Sequence, residues 1–227
     1  MPPVVFRFGT SFWTSKIAVG VITLLCVIWS LFQLWIAENP INSQLARSWH
    51  LGFALALVFL AFPAYDYRSP PLWARTMHRI LPFTRPKRSN REFIPVIDIL
   101  LALIAAGSSL FIVFFQEEIQ LLGGIGNTRE VVIGSVLIIM LLEAARRSLG
   151  VALSTICIVF IVYAFVGSEP WVPDLLRYRG TTFEFFVSEM YLTDTSIFGV
   201  PLGVSTSFVF LFVLFGALLD RAGAGKY

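Results

Sequence analysis

Residues 197–225 read IFGVPLGVSTSFVFLFVLFGALLDRAGAG, and this stretch decides the fold. From 202 to 219 it carries no charge. A helix of that length is close to what the roughly 30 Å hydrocarbon core of a bilayer requires. Asp220 and Arg221 end the run, and the Gly-Ala-Gly at 223–225 ends the helical signal. Working outward, the rest of the chain has the same character. It is 57% hydrophobic and 14% charged, with a mean hydropathy of +0.79. A soluble domain carries charge on about 25% of its residues, so lipid must be the solvent for most side chains here. The expected fold class is all-α, a polytopic membrane protein of about six transmembrane helices plus an amphipathic interfacial helix on the periplasmic side. The net charge of +3 is too small to suggest nucleic acid. Cys26 and Cys157 lie inside apolar runs and read as inert buried thiols. No cleavable signal peptide is evident, because the apolar run after Lys16 is too long for one.

The expected spans follow in order. The first covers 17–37, with Trp29 and Trp35 toward its far end, where aromatic rings favour the interface. Glu38-Asn39-Pro40 breaks it. The second covers 49–65 and places Gly52 and Ala56 on one face as a close-packing pair. Residues 66–92 form a basic loop, expected to be cytoplasmic, with Arg68, Arg75, Arg79, Arg85, Lys87, Arg88 and Arg91, seven of the 17 Lys and Arg. Within it, 72–81 could form a short surface helix. The loop reads first as an orientation signal and second as a site for anionic lipid or a partner. The third span covers 93–115, with Asp98 just inside it and Ala102, Ala106 and Ser109 as a small-residue face. After a short acidic loop at 116–130, the fourth and fifth spans cover 131–145 and 149–166. Thr181 and Glu184 have capping-box spacing. Phe183, Phe186, Val187, Met190 and Tyr191 then repeat on one helical face, the pattern of a helix lying flat at the interface. Its acidic polar side makes it a prop for neighbouring helices rather than a binder of anionic lipid. The sixth span covers 202–219.

With a cytoplasmic N-terminus, the inner segments hold 13 of the 17 basic residues and the outer ones only Arg47, Arg129, Arg177 and Arg179. Basic residues collect on the cytoplasmic side, so the span assignment and the orientation support each other. Cysteines at Ser43, Gln116 and Glu169 are expected to label from outside, and one at Ser89 from inside.

Nothing in the sequence suggests catalysis, and the chain reads as a non-enzyme. His50 and His78 fall at opposite ends of spans and cannot share a metal. There is no nucleotide-binding loop and no H-E-x-x-H motif. Asp98 and Glu143 are the ionisable residues inside spans, where such groups are expensive and often functional. Glu143 can clasp Arg146 and Arg147, three and four residues on. Asp98 is expected to pair with Arg91 or another loop cation. Gly199, Pro201 and Gly203 loosen the entrance to the sixth span, and Ser205, Thr206 and Ser207 follow on its first turns. Gly203 and Ser207, four apart, read as a close-packing pair. The simpler reading of this entrance is a helix N-terminus with proline in its first turn.

Several spaced motifs resemble the fused permease of tripartite ATP-independent periplasmic (TRAP) transporters, TAXI type. They are EAARRSLG at 143–150, YAFVG at 163–167, YRG at 178–180, IFGVPLGVS at 197–205 and FVFLFVLFG at 208–216. The resemblance implies a four-span scaffold like the small permease subunit at 1–145 and the start of the large transport region at 146–227. It implies a bacterial inner membrane, sodium as coupling ion, and a periplasmic solute-binding protein delivering organic acids or other carboxylates. The remaining permease region, or a separate permease subunit, would be a further partner. That family's substrate and sodium sites sit on later hairpins, which would lie beyond Tyr227, so the resemblance carries no substrate-binding residue onto this sequence. The chain is expected to be an incomplete N-terminal part that does not transport alone. The alternative is a non-transporting scaffold, an assembly protein or a truncated remnant.

Overall fold

The computed structural model describes residues 16–62, 96–121 and 126–223. The basic loop at 66–92, its surface helix at 72–81, Arg91, His78, Ser89 and the start of the third expected span lie outside the described residues. So does Tyr227, the position beyond which the resemblance puts the substrate and sodium sites, and that expectation stays one about the family. Apolar runs without a β-branched alternation, closed by Pro, Gly and polar caps, form helices throughout, and there is no strand among the described residues. The helices are α1 (Lys16–Glu38), α2 (Ser43–Ala61), α3 (Val96–Phe114), the short α4 (Gln116–Leu121), α5 (Thr128–Ser148), α6 (Val151–Val166), α7 (Phe183–Leu192) and α8 (Val200–Arg221).

Four of these, α1, α2, α3 and α8, are long and apolar enough to cross a membrane. Helix α5 has the length, at 21 residues, but carries Glu130, Glu143, Arg146 and Arg147 near its ends. Helix α6 is apolar but has only 16 residues. Helix α2 starts six residues earlier than expected. Asn42 caps it, its side chain accepting from the Gln44 amide at 2.9 Å. The polar residues Gln44, Arg47, Ser48 and His50 lower the hydropathy of that first stretch, but they are helical and they point into the bundle.

Helix α2 runs antiparallel to α3. Ser109 donates to the Ser48 carbonyl at 2.9 Å, and Gly52 is buried where a Cβ would sit 3.3 Å from Leu110 Cγ. The expected small-residue face of α3 is shifted by one residue at its centre: Ala102, Ala105 and Ser109 are buried. The core is shared by α2, α3, α5 and α7 through Leu55, Phe59, Ala105, Ile112, Leu137 and Tyr191.

Helix α7 props against its neighbours as its sequence suggests, with a different N-cap. Its N-cap is Thr182, whose hydroxyl accepts from the Phe185 amide. Thr181 instead donates to the Thr182 carbonyl, so the capping box with Glu184 does not form. Val187, Ser188, Tyr191 and Leu192 are buried, while Phe183 is exposed. The helix is packed onto α5 at Gly134, where a Cβ would meet Tyr191 Cγ at 2.9 Å and Val187 Cγ1 at 2.8 Å. Its inner face therefore belongs to the protein core. The rim is different. Apart from Ala18 and Gln33 on α1, Ser154 on α6 and Thr206 on α8, none of the described side chains on these three helices is buried. Both cysteines belong to this outward-facing layer: Cys26 is exposed and Cys157 half-buried, so they are not core thiols.

The bend from α5 into α6 takes two residues. Gly150 makes it possible with φ at +98°, a conformation that side chains disfavour.

Candidate functional site

At one end of the bundle, the last turn of α5 meets the first turn of α3. Arg147 Nη1 lies 2.8 Å from Asp98 Oδ1, and both side chains are 2% exposed. The same guanidinium donates through Nε to Glu143 Oε1 at 2.7 Å and through Nη1 to the Phe62 carbonyl at 3.2 Å. Its carbon sits 4.7 Å over the Phe59 ring. Arg146 Nε donates to Glu143 Oε2 and Arg146 Nη2 to Glu143 Oε1, each at 2.7 Å. Arg147 thus ties α2, α3 and α5 together. The Glu143–Arg146–Arg147 clasp has the form that its spacing predicts. Asp98 is expected to pair with Arg91 or another loop cation, which lie outside the described residues; among the described residues it pairs with Arg147 on α5, 49 residues further along the chain. Among the described residues, each of the two carboxylates is bonded to a guanidinium and works as an anchor.

At the other end, Glu130 is buried completely and meets Arg129 Nη2 at 2.8 Å. Arg129 also reaches Glu118 at 2.6 Å and lies 4.6 Å over the Phe115 ring. Ser188 accepts from the Gly126 amide at 3.1 Å. The Tyr191 hydroxyl donates to the Ser108 carbonyl at 2.7 Å. Burial first, and the negative charge of Glu130 second, push the Tyr191 hydroxyl well above its ordinary pKa. It is therefore a neutral, permanent donor that joins α7 to α3.

The entrance of α8 is the third polar site. Gly199 is its N-cap and Pro201 lies in the first turn, as the simpler sequence reading has it. Gly203 is there for close approach: a Cβ would stand 2.8 Å from Arg47 Nε and Nη2. Arg47 Nη1 donates to the Phe198 carbonyl at 2.7 Å. Ser205 opens a π-helical turn, Ser205–Val209, a local widening that often marks a functional position. Ser205 Oγ is 3.2 Å from His50 Nε2, and the other ring nitrogen of His50 is bonded to the Gln33 amide. The Trp29 ring packs 5.0 Å from both His50 and Phe210. One chain of side chains therefore links α1, α2 and α8. Ser207 is exposed and takes no part, so the expected Gly203–Ser207 pair is not formed; Thr206 is the buried neighbour, donating to the Leu202 carbonyl at 2.7 Å.

Gln33, Arg47 and His50 are site residues that the sequence reading did not assemble. A signal was present: Gln33 is the only amide in 17–37, and Arg47 and His50 are three apart on one helix. Polar residues at membrane depth turn toward the bundle interior. Among the described residues, no group of three His, Cys, Asp or Glu side chains gathers as a metal site.

No known protein family, no curated protein and no solved structure matches the chain.

Proposed function

We propose that this chain is the membrane frame of a secondary, sodium-coupled solute-uptake system of TRAP type, without enzymatic activity of its own. The proposal gives it six spans, α1, α2, α3, α5, α6 and α8, in a bacterial inner membrane with the N-terminus cytoplasmic. A periplasmic binding protein would deliver the organic acid. A transport region, continuous with this chain past Tyr227 or a separate subunit, would carry it.

The observation that supports this reading is the distribution of anchors. Asp98–Arg147–Glu143 and the Phe62 carbonyl tie α2, α3 and α5 at one end; at the other, Glu118–Arg129–Glu130 ties α4 to α5 and the Tyr191 hydroxyl ties α7 to α3. Helices α1, α6 and α8 surround them with apolar faces left open. A braced block suits a part that stays still while another part moves. It suits a non-transporting scaffold equally well, so the test must measure transport. Proteoliposomes holding the chain with its permease partner, and supplied with the binding protein, are expected to accumulate radiolabelled carboxylate under an inward sodium gradient. Loss of uptake on collapsing that gradient fits the carrier. Gradient-independent or absent uptake, from a complex that stays intact, leaves the scaffold. The orientation has a separate test: cysteines at Ser43, Gln116 and Glu169 should label from the outer side and one at Leu149 from the inner side.

A further inference from the structure

Helix α6 spans Val151–Val166. At 1.5 Å per residue its 16 residues rise about 24 Å, some 6 Å short of the hydrocarbon core. Its apolar surface does not stop at Val166, however. In the segment 167–180 that follows, Trp171 is 73% exposed, Leu175 94% and Leu176 55%.

This segment is folded. The Tyr178 amide donates to the Gly167 carbonyl at 3.1 Å. The Tyr178 hydroxyl bonds back to the Ala164 carbonyl on α6, and the Tyr163 hydroxyl of α6 reaches out to the Leu176 carbonyl. The two tyrosine rings lie 5.4 Å apart. Arg177 donates to the carbonyls of Pro170 at 2.8 Å and Val172 at 2.9 Å and pairs with Asp174 at 2.9 Å. Val172 is tucked inside. Any side chain at Gly167 would run into the Tyr178 ring. The loop is thus closed on itself and sewn to the end of α6, with Trp171 and both leucines on the outside. In water, a large apolar side chain left uncovered forgoes the gain that burial would bring. The apolar face of α6 leads directly to it through Phe160 and Tyr163, both exposed. Tryptophan, tyrosine and arginine together are the side chains of the bilayer interface.

We propose that segment 167–180 is a membrane wedge. It places Trp171, Leu175 and Leu176 among lipid acyl chains at the headgroup boundary and completes the span that α6 leaves short. Its partner is the lipid surface itself. The inference rests on α6 crossing the bilayer.

Spin labels test it. In a background carrying Cys26→Ala and Cys157→Ala, single cysteines are introduced at Trp171, Leu175, Phe160 and Asn39, labelled with a nitroxide and reconstituted in liposomes. Collision with oxygen, which partitions into lipid, is compared with collision with a water-soluble nickel chelate. The oxygen-to-nickel ratio at Trp171 and Leu175 is expected near that of Phe160 and several times that of Asn39. A ratio at the Asn39 level, with Phe160 still in lipid, overturns the wedge and leaves α6 as a span. Labels immobilised and shielded from both reagents overturn it in favour of a protein partner or a second copy. Water-like values at Phe160 remove the premise, and the wedge with it.

Discussion

The braced block and the open rim are made of similarly apolar chain, yet they are held by different means. In the block, α2 and α3 approach over Gly52 and α5 and α7 over Gly134; a buried ion pair closes one end and the half-exposed Arg129 meets the buried Glu130 at the other. In the rim, α1 and α8 meet α2 mainly through Gln33, His50, Ser205, Arg47 and a few aromatic rings. Lipid is as apolar as leucine, so burying leucine between helices gives no net drive at membrane depth. What separates a block from a rim is close backbone approach and paired polar groups. Predictions that remove those features, one at a time, test the distinction.

The largest effect is expected at Arg147. Arg147→Ala takes from the Asp98 carboxylate, 2% exposed, the guanidinium 2.8 Å away. Breaking a buried pair from one side costs about 3–5 kcal/mol. Thermal unfolding in detergent should drop accordingly. The paired change Asp98→Asn with Arg147→Met should recover most of the loss, because both charges of the buried pair are then removed together. If the paired change is as damaging as the single one, the clasp is not what braces this end.

Gly134→Ala comes next. The added methyl would stand within 2.9 Å of Tyr191 Cγ. Overpacking of this kind costs about 1–3 kcal/mol. Since α7 must move away, the bond from Tyr191 to the Ser108 carbonyl should weaken as well. Faster hydrogen exchange confined to α7 and the adjoining turn of α5 is the expected signature. An unchanged melting curve would mean that α7 rides on the surface, as its exposed Phe183 and Phe185 first suggest.

These two sites show what could be read in the chain beforehand. Glu143, Arg146 and Arg147 are neighbours on one helix, so their clasp is visible in the spacing alone. The Asp98–Arg147 pair spans 49 residues, and no local rule points to it. Apolar run length identified the class of fold and most of the helices. It put the start of α2 too late because a hydropathy window averages over the helix, whereas Ser48 and His50 are on its buried side. For α7, periodicity found the helix and its apolar stripe. It could not tell lipid from a neighbouring helix as the cover for that stripe, and the glycine that decides between them is on α5. The π-helical turn at Ser205–Val209 left no sequence signal that residue order alone would separate from an ordinary turn.

On the rim, Ser205→Ala removes the α8 end of the chain Gln33–His50–Ser205. Side-chain hydrogen bonds between membrane helices average about 0.6 kcal/mol, so overall stability should shift by little. The sharper readout is local: hydrogen exchange should rise in the first turns of α8 and stay constant in α2 and α3. A global destabilisation comparable to Arg147→Ala would dissolve the line between block and rim.

The smallest effect is expected two residues further on. Ser207 has helical spacing from Gly203 and looks from sequence like the second half of a packing pair. In the structure both residues lie within the π-helical turn Ser205–Val209, with Thr206 facing inward and Ser207 outward. Ser207→Leu should therefore change stability by no more than about 0.5 kcal/mol, the range of an exposed substitution. In lipid it should if anything be slightly favourable, as leucine replaces a hydroxyl that no neighbouring helix covers. The same change at Thr206 would have to displace a buried side chain and its bond to the Leu202 carbonyl. Comparing the two variants by thermal unfolding measures which way α8 is turned. A larger loss at Ser207 than at Thr206 would mean that the helix packs along the face its sequence spacing suggests.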